Sequence, residues 1–406
     1  MEKNNSITLT LLVLFIVYMT DTVIFATNFN SKFELLSHSI ICIAAVCMFL
    51  YYVLKYKRFL KSDIYIFLSI ISIIVSMLLA GRIFGFSYIM QACCFIFGWM
   101  FSYKYSQEKF AYNYIRIMRV IAVVSLIGYI LGNQIVNIDI LPNITNSNGM
   151  DFKNLFLTNI PIEFNQRRRI WGPFWEPGVY QAYLMVAIYF SLYYKYKHRV
   201  FNVLLFAVTA TLTLSGAMLI PLILFSLSYI VNKDKYLSSR KTKIIIVIGL
   251  IMITSFVLLN ARFDEMLFKV TGGFESHSFA FRFSSIIVNI QEFIRHPIFG
   301  STPENLDLSR SLFMYNLTGT SYLSNTNTLF AFFAYYGLYV GLVYTWNVLL
   351  FFKSRIDSKL ALIPAFIGFV ATTSNENLCA SLFFCTIIFL VPENERLKRI
   401  KKLAHT

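Results

Sequence analysis

The stretch 166–182, QRRRIWGPFWEPGVYQA, groups side chains that could bind an anionic ligand. Three consecutive arginines and two tryptophans occur within it: Arg167, Arg168, Arg169, Trp171 and Trp175. Guanidinium groups bind phosphate through paired, planar hydrogen bonds. A cationic cluster beside a carboxylate at a membrane is costly to retain, which favours a functional role. The alternative is a basic segment that lies against lipid headgroups, because arginine and tryptophan both favour the membrane interface.

Glu176 and Pro177 predict the start of a helix. Proline is tolerated in the first helical turn, and the helix dipole favours a carboxylate at the same place. Glu176 could therefore cap the helix and pair with an arginine, or it could contact a substrate directly.

A second group of candidates lies on an amphipathic helix predicted for residues 279–295. Apolar residues recur on one face, and polar residues, among them Arg282, recur at spacings of three and four on another. The sequence His296-Pro297-Ile298-Phe299-Gly300 ends this helix. Such a helix would lie along the outer membrane surface with Arg282 facing a polar cavity. The alternative is an interfacial helix whose polar face is only solvated.

Histidines, an asparagine and glycines complete the candidates. His277 and His296 are predicted to be external, and either could transfer a proton at neutral pH, with a purely structural histidine as the alternative. Asn327 opens an apolar segment that contains Gly337 and Gly341. These glycines would allow a neighbouring helix to approach closely.

No metal site and no cofactor are predicted. The six cysteines fall in or beside apolar segments and form no metal-binding pattern with histidines. The adjacent acids Asp264 and Glu265 are weak support for a metal by themselves. Neither of the common Gly-rich nucleotide-binding loops occurs.

The elements that must position these residues are membrane spans. Hydrophobic residues make up 57% of the sequence and charged residues 14%, and apolar runs long enough to cross a bilayer recur. We predict an all-α polytopic membrane protein, one integral membrane domain over residues 1–406, with about twelve transmembrane helices. The predicted spans are 7–25, 39–54, 64–80, 86–101, 115–131, 179–194, 200–212, 216–231, 244–259, 328–352, 360–373 and 378–391.

The distribution of basic residues predicts the orientation of these spans. With the N-terminus in the cytoplasm, about two thirds of the 36 lysines and arginines fall on the cytoplasmic side. Both termini are then cytoplasmic. The net charge of +16 is on this interpretation a topology signal that also fits attraction to anionic membrane lipid. It does not predict nucleic-acid binding, which requires the charge on one organised surface.

Two long loops fall on the outer side, residues 132–175 and 260–327, and short interfacial helices are expected in them. Long loops in a compact protein are usually functional. The external face is therefore predicted to carry the activity.

Together these segments resemble the O-antigen polymerase and O-antigen ligase superfamily of polytopic bacterial membrane proteins. Three matches carry the resemblance: Arg169-x-x-Gly172-x-x-x-Glu176-Pro177 before a span, Arg282 followed by His296-Pro297-Ile298-Phe299-Gly300, and Asn327 with Gly337 ten residues on. They cover about residues 167–341. Position 326 departs from the pattern, because it is a threonine where many ligases have a histidine. This departure favours a polymerase.

The resemblance implies a metal-independent glycosyltransferase on the outer face of the bacterial inner membrane. Its donor would be an oligosaccharide on a polyprenyl diphosphate, and a second lipid-linked repeat unit would be the acceptor. The product would be O-antigen or capsular polysaccharide, and a chain-length regulator is a candidate protein partner. The external arginines fit this donor, because electrostatic stabilisation of the departing diphosphate would be the main catalytic contribution.

Roles follow from the resemblance. Arg169 and Arg282 would hold the diphosphate, and Glu176 would orient an arginine or the acceptor hydroxyl. His296 is the first candidate for a general base and Glu176 the second. The substrate-binding residues would be Arg167, Arg168, Arg295, Trp171, Trp175 and Asn327. The alternatives are an O-antigen ligase and a transporter or flippase of lipid-linked glycan, although transporters commonly place charged coupling groups at mid-membrane, where this sequence has almost none.

Overall fold

A computed structural model describes most of the chain. The described residues are 2–25, 31–57, 60, 63–81, 85–146, 149–232, 244–250, 252–253, 264, 268, 277–319, 325–374 and 376–405. The chain divides into two compact units. The first comprises the described residues within 1–37, 108–268 and 355–372, and the second comprises those within 38–107, 269–354 and 373–406.

The described part of the chain is predominantly helical. In chain order the helices are α1 (Glu2–Asp21), α2 (Ser31–Tyr56), α3 (Ile64–Leu79), α4 (Phe86–Lys104), α5 (Gln107–Ile130), α6 (Gly132–Val136), α7 (Pro177–Tyr193), α8 (Arg199–Leu212), α9 (Leu219–Val231), α10 (His277–Arg295), α11 (Pro303–Thr318), α12 (Thr328–Lys353), α13 (Lys359–Thr372), α14 (Leu382–Ile387) and α15 (Glu393–His405). Residues 244–250 are also helical. Three strands lie between α6 and α7: β1 (Asn143–Thr145), β2 (Asp151–Asn154) and β3 (Asn159–Pro161).

Helix α7 forms the centre of the first unit. All 17 of its residues are buried, and it packs against α8, α9 and α13. Its sequence is apolar or aromatic around nearly the whole circumference, so it has no face that requires water. Because α7 begins at Pro177, this rigid helix fixes the end of the arginine-rich stretch that precedes it.

The first long loop contains a small antiparallel sheet in the order β1-β2-β3. Ile144 pairs with Phe152, and Phe152 pairs with Pro161 on the other side. Phe152 and Ile160 are buried. The sequence did not predict this small sheet, since strands of three or four residues are too short for their alternation to be recognised.

The second unit is organised around α12. Helices α3 and α10 pack against α12, and α10 also packs against α11. Helix α4 packs against α3, α14 and α15. Helix α12 is interrupted at Gly337, where the backbone turns to φ 77° and ψ −175°.

Within the described ranges, four helices are long and apolar enough to cross a membrane: Glu34–Tyr56, Phe86–Lys104, Gln107–Ile130 and Thr328–Lys353. Helix α3 in addition exposes a row of large apolar side chains, among them Phe67, Ile71 and Leu78. Soluble proteins rarely expose contiguous apolar surface of this kind. These long apolar helices and exposed apolar side chains support the prediction of a membrane protein.

The prediction of about twelve spans is not supported. Helices do form within the described part of each predicted span, but five of the apolar helices have only 10–17 residues. They are Ile7–Asp21, Ile64–Leu79, Arg199–Leu212, Leu219–Val231 and Lys359–Thr372. The last predicted span contains only α14, which has six residues. A helix of 14 residues extends roughly 21 Å, less than the hydrocarbon core of about 30 Å.

Candidate functional site

The arginine-rich stretch precedes α7 in the first unit. Residues Gln166–Arg168 form a single 3-10 turn, and Arg169 has an extended backbone. The N–H of Ile170 donates to the carbonyl of Leu212 at the end of α8, at 2.9 Å. The backbone that carries the three guanidinium groups is thereby fixed between β3, which contacts the 3-10 turn, and α8.

Arg167 is held by the first loop itself. Its Nη1 donates to the side chain of Asn133 at 2.8 Å, and its Nη2 donates to the carbonyl of Ile162 at 2.9 Å. The guanidinium also lies over the Phe164 ring, 5.4 Å from the centroid. Its Nε is buried and has no hydrogen-bond partner among the described residues. This atom could donate to a ligand.

Arg169 and Arg168 differ in exposure. Arg169 is half-buried, its Nε donates to the carbonyl of Thr213 at 3.0 Å, and its guanidinium lies 6.0 Å from the centroid of the Trp171 ring. Arg168 is exposed. The stretch therefore presents one outward cation and two that are oriented by protein contacts.

These two oriented arginines line an open, shallow cleft with a cavity volume of about 10 Å³. Its other walls come from the end of α5, from β3 and from the residues around it: Ser125, Gly128, Tyr129, Gly132, Thr158, Asn159, Ile160, Pro161, Ile170 and Trp171. Trp171 is buried with its ring edge-on to Phe152, at a centroid distance of 4.8 Å. The cleft thus combines two cations, backbone polar groups and an indole.

The backbone conformation at position 172 explains why the first sequence motif has a glycine there. Its φ is +59°, and a Cβ at this position would lie 2.8 Å from the ring of Tyr180. Only glycine accepts this backbone conformation and this close approach without strain. The chain then reaches Glu176, which occupies the N-cap position of α7, followed by Pro177 in the first turn as predicted.

The Glu176 side chain is half-buried and makes no capping hydrogen bond. The predicted helix start is confirmed, whereas the predicted capping by this carboxylate is not observed. Trp175 is also half-buried, and its carbonyl accepts a hydrogen bond from Asn146 at 3.2 Å.

In the second unit, the predicted amphipathic helix is present as α10. Its polar face contacts residues 325–327: the Asn289 amide donates to Asn325 at 3.2 Å, and the Thr326 hydroxyl donates to Ser285 at 3.2 Å. Arg282 is half-buried on the same helix, one turn before Ser285. A large part of the predicted polar face therefore packs against protein.

Glu292 is the centre of a polar cluster at the end of α10. Its carboxylate accepts hydrogen bonds from Arg295 at 2.7 Å, from Ser309 at 2.8 Å and from Ser301 at 3.0 Å. Burial of Glu292 favours its neutral form, but these three donors outweigh burial and hold the pKa of Glu292 below its ordinary value. The sequence suggests only a solvated glutamate, because its serine donors lie 9 and 17 residues away.

The turn 296–300 packs against the kink of α12. The N–H of Leu338 donates to the carbonyl of Pro297 at 2.8 Å, and the N–H of Ser301 donates to the carbonyl of Ala334 at 2.7 Å. A Cβ on Gly337 would overlap the backbone of Ile298. The second and third motifs of the sequence therefore meet. Gly337 accommodates this turn rather than the neighbouring helix that was predicted.

His296 and Asn327 lie in different surroundings. His296 is exposed at the end of α10. Asn327 is buried and forms the N-cap of α12: its Oδ1 accepts from the N–H of Phe330 at 3.0 Å, and its Nδ2 donates to Ser374 at 3.0 Å. The side chain of His277 and residue Glu265 lie outside the described residues.

The structure brings the candidates together in two groups. Arg167, Arg169 and Trp171 meet at the cleft of the first unit. Arg295 and His296 adjoin the Glu292 cluster in the second unit. Within the described ranges, no three His, Cys, Asp or Glu side chains are grouped as they would be around a metal ion.

No family model matches the chain, and no match was found among curated proteins or solved structures.

Proposed function

We propose that this chain is a polysaccharide polymerase of the bacterial inner membrane. It would join repeat units carried on polyprenyl diphosphate at the outer face of that membrane, with both of its termini in the cytoplasm. The observation that carries the proposal is the cleft at which Arg167, Arg169 and Trp171 meet. Two guanidinium groups beside an indole suit a ligand that has both phosphate and sugar.

The buried Nε of Arg167 strengthens this interpretation. A buried donor without a partner costs roughly 1–3 kcal/mol, and no described residue accepts from this atom. A phosphate oxygen in the cleft would supply the acceptor. Arg169 would then meet the same phosphate group from the Trp171 side, because both arginines line one cleft.

The proposed reaction forms a bond between an acceptor hydroxyl oxygen and the anomeric carbon of the donor sugar. The bond from that carbon to the diphosphate oxygen breaks, and polyprenyl diphosphate leaves with the bonding electron pair. The hydroxyl proton passes to a base, for which Glu176 is the candidate within the first unit, while His296 stays a prediction from the sequence. The arginines stabilise the negative charge of the leaving group.

Arg282 and Arg295 are the proposed cations of the second unit. Arg295 is anchored by Glu292 and has a side chain that is 62% exposed, so it is oriented and accessible at the same time. Asn327 would contribute mainly by starting α12, since both ends of its amide already have protein partners.

The test is genetic complementation. The gene for this chain is deleted from its source bacterium, and each variant is then expressed in the deletion strain. We compare the wild type with Arg169→Ala, Arg282→Ala and the control Arg116→Ala, which removes an exposed arginine of α5 outside the cleft. Membrane levels of each variant are measured, and surface polysaccharide is separated by length.

A polymerase predicts loss of long polymer with retention of single repeat units in the Arg169 and Arg282 variants, and normal polymer in the control. Full-length polymer that stays on the polyprenyl carrier would indicate a ligase. Repeat units trapped inside the cell would indicate a transporter. Normal polymer in both cleft and α10 variants would refute the assigned site.

A further inference from the structure

A second pocket lies wholly within the second unit, at the C-terminal ends of α4 and α12. It is open, has a cavity volume of about 240 Å³ and is also lined by the start of α3 and by α15. The pocket therefore lies at the opposite end of α12 from Asn327.

The floor of the pocket is apolar and aromatic. Trp99, Ile388, Phe389 and Leu390 line it, and all four are buried. Leu350 of α12 is half-buried at its side. A floor of this composition suits hydrocarbon and gives a small soluble anion little to contact.

The rim of the pocket is cationic. Lys353 and Arg399 line it, together with the acid Glu395, which lies 3.7 Å from Arg399. Lys398 follows Glu395 by three residues and Lys402 follows Arg399 by three, spacings that make side chains neighbours on a helix surface. A second nearby acid is Asp63, which is buried and interacts with Arg399. Among these described side chains, four cations therefore stand against two acids.

A second arginine of α15, Arg396, is not part of the cationic rim. Arg396 pairs with Glu393 at 2.6 Å and donates to the carbonyls of Tyr103 and Lys104 at 3.2 and 3.3 Å. It thereby attaches α15 to the end of α4. Lys398 and Lys402 are exposed beside the pocket.

We propose that this pocket binds an anionic phospholipid. The phosphate lies at the rim against Lys353 and Arg399, and an acyl chain lies along Trp99 and Phe389. Two helices that are long enough to span a membrane end here, which places the mouth at headgroup level, and basic pockets between such helices are suited to anionic headgroups. The proposal is independent of the proposed polymerase activity.

The experiment is native mass spectrometry of the purified full chain in detergent, titrated with phosphatidylglycerol or with phosphatidylcholine of the same acyl chains. The variants are Arg399→Gln, which removes a rim charge, and Leu350→Trp, which fills the pocket without a change of charge. The control is Lys401→Gln. Lys401 is exposed on α15 but lies about 160° around the helix from Arg399.

We expect the wild type to bind phosphatidylglycerol in preference to phosphatidylcholine. The affinity for phosphatidylglycerol should be about fivefold weaker in Arg399→Gln. Binding should be lost in Leu350→Trp and unchanged in the control. Equal binding of the two lipids by the wild type would overturn the proposal. So would wild-type affinity in both pocket variants, or an equal loss in Lys401→Gln. Competition by inorganic phosphate alone would show that the apolar floor plays no part and would also overturn it.

Discussion

Gly337 is in contact with the backbone of Ile298, so closely that any Cβ at position 337 would overlap the Ile298 carbonyl. Gly337 has a φ of +77°, which interrupts α12 and exposes the N–H of Leu338 to Pro297. Gly300 makes the reciprocal approach to the backbone of Tyr335. The two glycines thus allow the turn after α10 to pack directly against the kink of α12.

Replacement of Gly337 by alanine is expected to destabilise the protein strongly. The positive φ alone costs roughly 1–2 kcal/mol, and the overlap with Ile298 adds about 1–3 kcal/mol. The measurement is the thermal unfolding midpoint of the chain in detergent. Gly319→Ala is the matched control, because Gly319 has a φ of +74° and no described atom within 4 Å of a Cβ. Equal shifts in the two variants would contradict the proposed contact.

The Glu292 cluster is expected to make stability depend on pH. Because the folded-state pKa of Glu292 is lowered, its ionised form stabilises the folded state above the ordinary value of 4.5. This contribution is lost as the pH falls through the lowered folded-state value. We expect Glu292→Gln to lower the unfolding midpoint at pH 7 and the difference from wild type to shrink below about pH 4.5.

The control for this pH series is Glu304→Gln, which replaces an exposed glutamate in the first turn of α11. Glu304→Gln should lower the unfolding midpoint at pH 7 by less than Glu292→Gln does. If the difference in midpoint between the wild type and Glu292→Gln stays constant from about pH 7 to about pH 3, the ionised carboxylate contributes nothing to stability.

Asn327 is expected to act as a helix cap. Asn327→Ala removes the acceptor for the Phe330 N–H and should cost about 1 kcal/mol. Asn327→Ser keeps a capping oxygen, so it should recover most of the unfolding midpoint. If both variants unfold like the wild type but lose polymer formation, Asn327 acts on the substrate instead.

Arg396 is expected to hold α15 in place. Its removal deletes the donor to Tyr103 and Lys104, and bonds from a charged group contribute roughly 1.5–3 kcal/mol each. Arg396→Ala should therefore raise the rate of cleavage by a lysine-specific protease within α15 by about tenfold or more. Asn394→Ala, an exposed change on the same turn, is the control. An unchanged cleavage rate in Arg396→Ala would refute this anchoring.

Hydrophobic periodicity predicted the positions of helices well and their lengths less well. The predicted spans 200–212 and 216–231 correspond to α8 and α9, which a 3-10 turn over Gly216–Met218 separates. The same pattern suggested twelve full spans, although several of these helices are too short. An apolar sequence favours burial, but it does not distinguish a spanning helix from a short buried one.

The candidate site was predicted as a set of residue types and not as a set of contacts. The start of α7 at Pro177 and the end of α10 at Arg295 both follow from local rules for proline and for helical periodicity. The role of Glu292 does not follow from such local rules, because its partners Ser301 and Ser309 reach it only after the chain reverses.

The sequence by itself determined that this is a helical membrane protein with basic, aromatic and glycine-containing motifs at the ends of its helices. These properties are local, since composition and periodicity act within one segment of chain. The tertiary structure decided that Arg167 and Arg169 share a cleft, that Glu292 anchors Arg295, and that the turn at Ile298 rests on Gly337. These relationships depend on which distant segments pack together, and periodicity carries no information about that choice.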